Sequence, residues 1–306
     1  MGSNVHAASR RGDLDMLRQQ VEVLQEDING LDMHQMAPIH YACRRGHAHI
    51  VDYLLQQSAS IEAKNATGQT PLMAASQMGH MQVVDVLFRH GANANAEGDH
   101  GMRPLHRAAM AGHEEIVRRL LREKADPLAV DHFVLEGAVH HAAREGHEDV
   151  LRSIMGAVHC DQGEEEEDQE ENAPAGDIGR TSSKGDTRYV RLDQGNSRGE
   201  TAMHLAAEHG RLGCVKLLML IGTTEEWRAR FMNKREGRCE DTALHRACEA
   251  GQDDICRYLL DMKASPNATN RVGRTPLHLA ATAGHATVHP DTRHPKHGTR
   301  NTNIEK

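Results

Sequence analysis

"RTPLHLAATAGH", residues 274–285, sets a Thr-Pro-Leu-His run before an alanine pair and a glycine, and the pattern recurs along the chain. It stands as "APIHYACRRGH" at 37–47, "TPLMAASQMGH" at 70–80, "RPLHRAAMAGH" at 103–113 and "GAVHHAAREGH" at 137–147. Two more copies follow, "TAMHLAAEHGR" at 201–211 and "TALHRACEAGQ" at 242–252. The second residue of these runs falls at 38, 71 and 104, a step of 33, then at 138, a step of 34. Longer steps lead to 202 and 243, and the last, to 276, is 33 again. An N-terminal stretch, "NVHAASRRGDLDMLRQQV" at 4–21, keeps the Ala-Ala and Gly spacing without Thr-Pro and completes eight units. Self-similarity at such a period marks an array in which each unit is one supersecondary element.

The unit itself reads as two helices and a turn. Thr275 suits an N-cap, accepting from a backbone N–H two or three residues on, and Pro276 suits the first helical position. Leu277, Ala280 and Ala281 make an apolar stripe at helical spacing, with alanines small enough for close packing. Gly284 then ends the helix in a left-handed conformation. A second helix, such as "MQVVDVLFRHG" at 81–91, sets Val83, Val84, Leu87 and Phe88 on one side and closes on Gly91. "ANANAEGDHG" supplies turn residues before the next cap. Such a unit cannot bury its apolar face alone, so each must stack on its neighbours.

Over nearly all of 4–160 and 196–286 the chain resembles the ankyrin repeat family. The resemblance implies an all-α solenoid of about eight helix-turn-helix units with β-turn fingers. It further implies that partner proteins dock on the turn tips and the exposed side of the first helices, an extended concave surface. Eleven of the 23 histidines fall in two slots of the repeat. His40, His106, His140, His204, His245 and His278 fall in the Pro-Leu-His slot, and His47, His80, His113, His147 and His285 follow the glycine. In the family's terms these bond backbone and loops within and between units. Buried neutral imidazoles of that kind predict an array that acid weakens.

Composition fits a layered Ala/Leu/Val core: 38% of residues are hydrophobic and only 3% aromatic. The longest apolar run, "VKLLMLIG" at 215–222, falls far short of the ~18 residues of a membrane span. There is no signal-peptide pattern, and "MGSNVH" has His6 where a myristoylation site requires Ser or Thr. Cys43 and Cys248 replace the second alanine of the pair, while Cys214 and Cys256 take valine positions of second helices. That is how buried thiols in a reducing compartment are placed. Without a Cys-x-x-Cys pair, zinc or thioredoxin-like chemistry has no support. Phosphate loop, G-x-S-x-G, H-E-x-x-H and kinase glycine loop are all missing. The expectation is a non-catalytic chain without a cofactor, monomeric, soluble and intracellular, in the cytoplasm before the nucleus.

Two segments break the template. In "CDQGEEEEDQEENAPAGDIGRTSSKGDTR", 160–188, residues 161–171 hold eight acids and no base, too little apolar surface to order itself. The whole chain has 44 acids and 36 bases, so those eight are the entire excess. The repeats are thus electrically balanced, which counts against nucleic acid and against an electrostatic membrane role. Ser182 and Ser183, just after Arg180, are candidate phosphorylation sites in this tether. The other break, "TTEEWRARFMNKREG" at 223–237, reads as a helix started by Thr224, with Trp227 and Phe231 on one face. They either pack back on the array or form a partner-binding hook. The expected organisation is repeats 1–5 over 1–160, the acidic insert over 161–195, repeats 6–8 over 196–286 and a disordered tail over 287–306. After "AGH" the tail offers Pro290 and Pro295 and no leucine run, so the eighth unit reads as incomplete. His289, His294 and His297 in it are weaker metal candidates than disordered residues.

With nearly every ordered residue in a structural slot, the expected function is protein binding as an adaptor or scaffold. The alternative is the regulatory or targeting portion of a larger protein or enzyme complex. The open positions on the binding face are those just before each cap and those before each glycine. They are Met36, Gln69, Met102 and Glu136, and Arg44, Arg45, Gln77, Met78, Met110, Arg144 and Glu145, with Trp227 as the possible hook. Met33, Met36, Met78, Met102 and Met110 gather on units two to four, and methionine makes adaptable apolar contacts. The expectation is a partner segment held by methionines flanked by arginines, against ordinary turn packing.

Overall fold

The computed structural model describes residues 4–160, 193–220 and 224–285. The acidic run 161–171, Ser182, Ser183 and the tail 287–306 lie outside the described residues. Numbered in chain order, eight inner helices each pack on the next: α1 (Asn4–Arg11), α3 (Pro38–Arg45), α5 (Pro71–Met78), α7 (Pro104–Ala111), α9 (Ala138–Glu145), α11 (Ala202–Glu208), α14 (Ala243–Glu249) and α16 (Pro276–Ala283). An outer row backs them: α2 (Leu14–Arg18, continued by a π turn over Gln19–Val23), α4 (Ala48–Gln56), α6 (Met81–Arg89), α8 (Glu114–Arg122), α10 (Glu148–Cys160), α12 (Leu212–Leu220) and α15 (Asp253–Asp261). One isolated bridge, Val130 with Gly137, is the only β pairing among the described residues.

The helix starts differ from expectation at one atom. Thr275 does not accept from the helix backbone; His278 closes the turn instead. The Thr275 N–H donates to His278 Nδ1 at 3.2 Å, and the Thr275 hydroxyl lies 2.8 Å from the same nitrogen. Among the inner helices, only where Met73 replaces the histidine does threonine cap as expected, Thr70 Oγ1 accepting from Met73 N. An Nδ1 that accepts from a backbone N–H is unprotonated, so Nε2 carries the hydrogen and must find an acceptor. It finds one in the next unit. His40 donates to Ala63 O (2.9 Å) and Gln69 O (3.1 Å), His106 to Ala129 O (2.8 Å) and His245 to Arg274 O (3.1 Å). His6 occupies the same slot in the first unit, with Nε2 2.9 Å from Met36 O.

The second histidine set sits on glycines. Gly112 ends α7 with φ +78°, and a Cβ there would lie 2.6 Å from the His147 ring. His147 Nε2 meanwhile lies 3.2 Å from Met110 O, tying unit five to unit four. Arg211 makes the equivalent contact to Arg144 O at 3.1 Å. We expect Gly112→Ala to cost about 2 kcal/mol, from left-handed strain plus displacement of His147. A urea midpoint unchanged from the parent would contradict this.

The array is continuous across the insert. α11 packs on α9, His140 Nε2 lies 3.1 Å from Gln194 O, and Ser197 N donates to Val134 O at 2.7 Å. The step from 202 to 243 exceeds the period by eight residues, the length of the added helix α13 (Glu225–Met232). Thr224 caps it, accepting from Trp227 N. Trp227 and Phe231 stack at 4.7 Å and both enter the core with Met232. Trp227, 8% exposed, therefore packs back on the array, and the hook is withdrawn.

Leu72 and Leu105 are buried in the stack, as the apolar stripe requires, whereas Leu277 of α16 is exposed together with Val272. The thiols of Cys43, Cys214, Cys248 and Cys256 are buried and unpaired in any disulfide.

Candidate functional site

The turns between units are fingers, most of them built on one side chain; before α7, Gly98 takes that slot and backbone bonds close the turn. Asn65 Oδ1 accepts from Thr67 N (3.0 Å) and Gln69 N (2.9 Å), and Asn196 and Asn270 repeat this two and four residues on. Asp32 does the same for His34 N and Met36 N, while its other oxygen accepts from the Tyr41 hydroxyl at 2.6 Å. Two fingers are one residue longer. Asp131 accepts from Phe133, Val134 and Glu136 N–H groups, and Glu236 from those of Arg238, Cys239 and Asp241. These carboxylates belong to the clusters Asp131–Glu136–His141 and Glu236–Cys239–Asp241, whose spacing suits a metal ion. In both, oxygens are already engaged: those of Asp131 and Glu236 build the turn, Glu136 accepts from Arg144 and Asn196, and Asp241 from Asn270.

The predicted binding positions separate into three groups. Met36, Gln69, Arg44, Gln77 and Met78 come together with Met33, Tyr41 and Ala74 around a cleft of about 460 Å³ between fingers two and three and helices α3 and α5. Met33 is 78% and Met78 46% exposed. A neighbouring cavity of about 290 Å³ shares Tyr41, Arg44 and Met78 and adds Arg10 and Arg45, so the two form one cleft. Met36 differs from expectation: it is 5% exposed and forms the floor. Its carbonyl meets His6 and its sulfur accepts from Asn65 Nδ2 at 3.3 Å. Gln69 donates to Gln77 Oε1 at 2.8 Å, so this pair is preset on the cleft wall.

Met102 and Met110, both half-buried, do not line this cleft. Glu136 is not open either. At 2% exposure it is held by Arg144 and by Asn196 Nδ2 at 3.0 Å. Burial pushes its carboxyl up, but the bonds from Arg144 and Asn196 outweigh this and hold it below the ordinary range. Arg144 lies on a separate cavity of about 530 Å³ with Arg198, Glu200, Glu208 and Arg246. There the charges are compensated, Arg246 pairing with Glu200 at 3.3 Å. Glu145 is exposed away from both cavities.

Arg10 and Tyr41 were not anticipated. Arg10 occupies the same slot before Gly12 that Arg44 occupies before Gly46, and Tyr41 follows the slot histidine, where Ala74 and Arg246 also face a cavity. That second slot is the signal that would have found it.

Comparison with known proteins agrees with this architecture. The family described as ankyrin repeats in three copies matches residues 5–98, 57–131, 92–164 and 220–289, and a single ankyrin repeat matches 198–223. Human protein phosphatase 1 regulatory subunit 27 is 38% identical over 93 residues, 30% of this chain and 55% of that protein. A Caenorhabditis elegans homolog of transient receptor potential cation channel subfamily A member 1 is 34% identical over 93 residues, 30% of this chain and 7% of that one. Mouse transient receptor potential cation channel subfamily V member 2 is 39% identical over 89 residues, 26% and 12% of the two chains. The chain thus spans about half or less of these relatives. No helix among the described residues is long and apolar enough to cross a membrane.

Proposed function

The chain belongs to the ankyrin repeat family, and on that premise we propose that it is a non-catalytic adaptor holding a partner protein in the cleft of units one to three. The observation that carries this is the convergence of exposed Met33 and Met78 with Arg44, Gln69 and Gln77 around one cleft on the first-helix and finger face. Exposed methionines over a preset polar wall give an adaptable apolar contact rimmed by hydrogen-bonding groups. In this reading the chain works as a monomer inside the cell, in the cytoplasm before the nucleus. The described thiols, none in a disulfide, support a reducing compartment.

The test is capture from lysate of the source cells by the full chain, by Met33→Ser/Met78→Ser and by Met102→Ser/Met110→Ser, read by mass spectrometry. The expected result is a partner held by the parent and the second variant and reduced about tenfold or more on the first. Equal capture by all three would contradict the assignment of the cleft. A second reading, the non-catalytic part of an enzyme complex, draws on the likeness to a phosphatase regulatory subunit. A catalytic subunit among the cleft-dependent partners would favour it.

A further inference from the structure

The cleft's charge is one-sided. Arg10, Arg44 and Arg45 line its inner end, and among the described residues none of the three forms an ion pair. No carboxylate lines either part of the cleft. Asp32, beside the cleft-lining Tyr41, is turned to that hydroxyl and to two backbone N–H groups. Elsewhere several inner-face arginines are neutralised, Arg103 by Glu97 at 2.6 Å, Arg144 by Glu136 and Arg246 by Glu200, while Arg107 of α7 stands half-buried and, among the described residues, without an ion pair. Three uncompensated guanidiniums therefore sit beside the two exposed methionines in a chain whose net charge is −8.

Resting on the reading above, we infer that the cleft selects an acidic protein segment carrying a large apolar side chain. The apolar group enters between Met33 and Met78, and carboxylates of the same segment reach Arg10, Arg44 and Arg45. Arginine suits this because its planar fork takes a carboxylate through two N–H groups. A purely acidic segment would leave the methionines exposed, and a purely apolar one would leave the arginines without a partner. The pairing of both features is what gives selectivity.

The test uses the full chain and four labelled probes in fluorescence anisotropy. They are a twelve-residue peptide alternating aspartate or glutamate with leucine, its lysine-for-acid counterpart, the chain's own acidic sequence 161–171 (DQGEEEEDQEE), and a single-stranded oligonucleotide of twelve bases. The acidic-leucine peptide is expected to bind most tightly, to weaken about tenfold or more in Arg44→Glu/Arg45→Glu, and to weaken with salt. Both arginines are exposed and make no ion pair, so the variant keeps its fold, checked by circular dichroism. Equal binding of the lysine peptide, or affinity unchanged by the arginine variant, would overturn the inference. So would equal binding of DQGEEEEDQEE, which shows charge alone, or tighter binding of the oligonucleotide. Failure here with lysate capture still dependent on Met33 and Met78 would leave the binding face standing and remove only the acidic partner.

Discussion

Lowering the pH from about 7.5 to about 5 is expected to destabilise the array by several kcal/mol, and histidines account for most of the loss. Burial pushes His40, His106, His140 and His245 below the ordinary imidazole value of 6.5. For His204 burial takes it down to about 4. His141 also falls to about 4, through burial and then the neighbouring His106. Above 6.5 these groups are neutral in both states and contribute no pH dependence. Below it the unfolded chain takes up protons that the folded chain refuses, so stability falls with pH. Each group costs ~1.4 kcal/mol per pH unit until its folded value is reached. By pH 5 His141 and His204 alone cost about 4 kcal/mol together, and the other buried histidines add to this, a large share of the ~5–15 kcal/mol stability of ordinary domains. Carboxyls held low, among them Glu136 and Glu236, act in the same direction but only below their ordinary value, 4.5 for these two. A loss between pH 6.5 and 5 therefore belongs to histidine. A thermal midpoint that stays flat from pH 7.5 to 5.5 would contradict this.

Replacing His204 by alanine is expected to cost about 4 kcal/mol at neutral pH. The ring accepts from Thr201 N at 3.2 Å and lies 3.1 Å from both Lys234 O and Asp241 O, all in the buried seam between units six and seven. Removing it strands the Thr201 N–H and the Lys234 carbonyl, leaves Asp241 O with only Glu236 N (2.9 Å), and opens a cavity at a fully buried ring. Each lost bond costs about 1–3 kcal/mol, part of which relaxation recovers. Because units couple only to neighbours, the loss should first appear as faster amide exchange in α11 and α14. A denaturation midpoint within error of the parent would show that the relay is dispensable.

The period, both helices of the unit and both histidine slots were legible in the sequence because each rests on spacing within one unit. The burial of Met36 and Glu136 was not, since the residues that cover them lie one or more units away: His6 and Asn65 for the first, Asn196 for the second. The pre-cap and pre-glycine positions are eight residues apart, and that spacing does carry contacts, Gln69 with Gln77 and Glu136 with Arg144. Whether such a pair stays open or closes depends on charge: Glu136 with Arg144 turns inward as an ion pair, while Gln69 with Gln77 stays at the surface. Trp227 was ambiguous for a related reason. A helix that replaces an ordinary connection shows its aromatic face in sequence, but the wall it packs on comes from the neighbouring units.

Amide hydrogen exchange along the full chain, with and without a cleft-dependent partner, tests the central claim most directly. The account predicts new protection in residues 31–45 and 65–78, the fingers and inner helices that line the cleft, with α10 and α13 unchanged. Protection confined to the outer helices or to α13, with none in those two stretches, would contradict it.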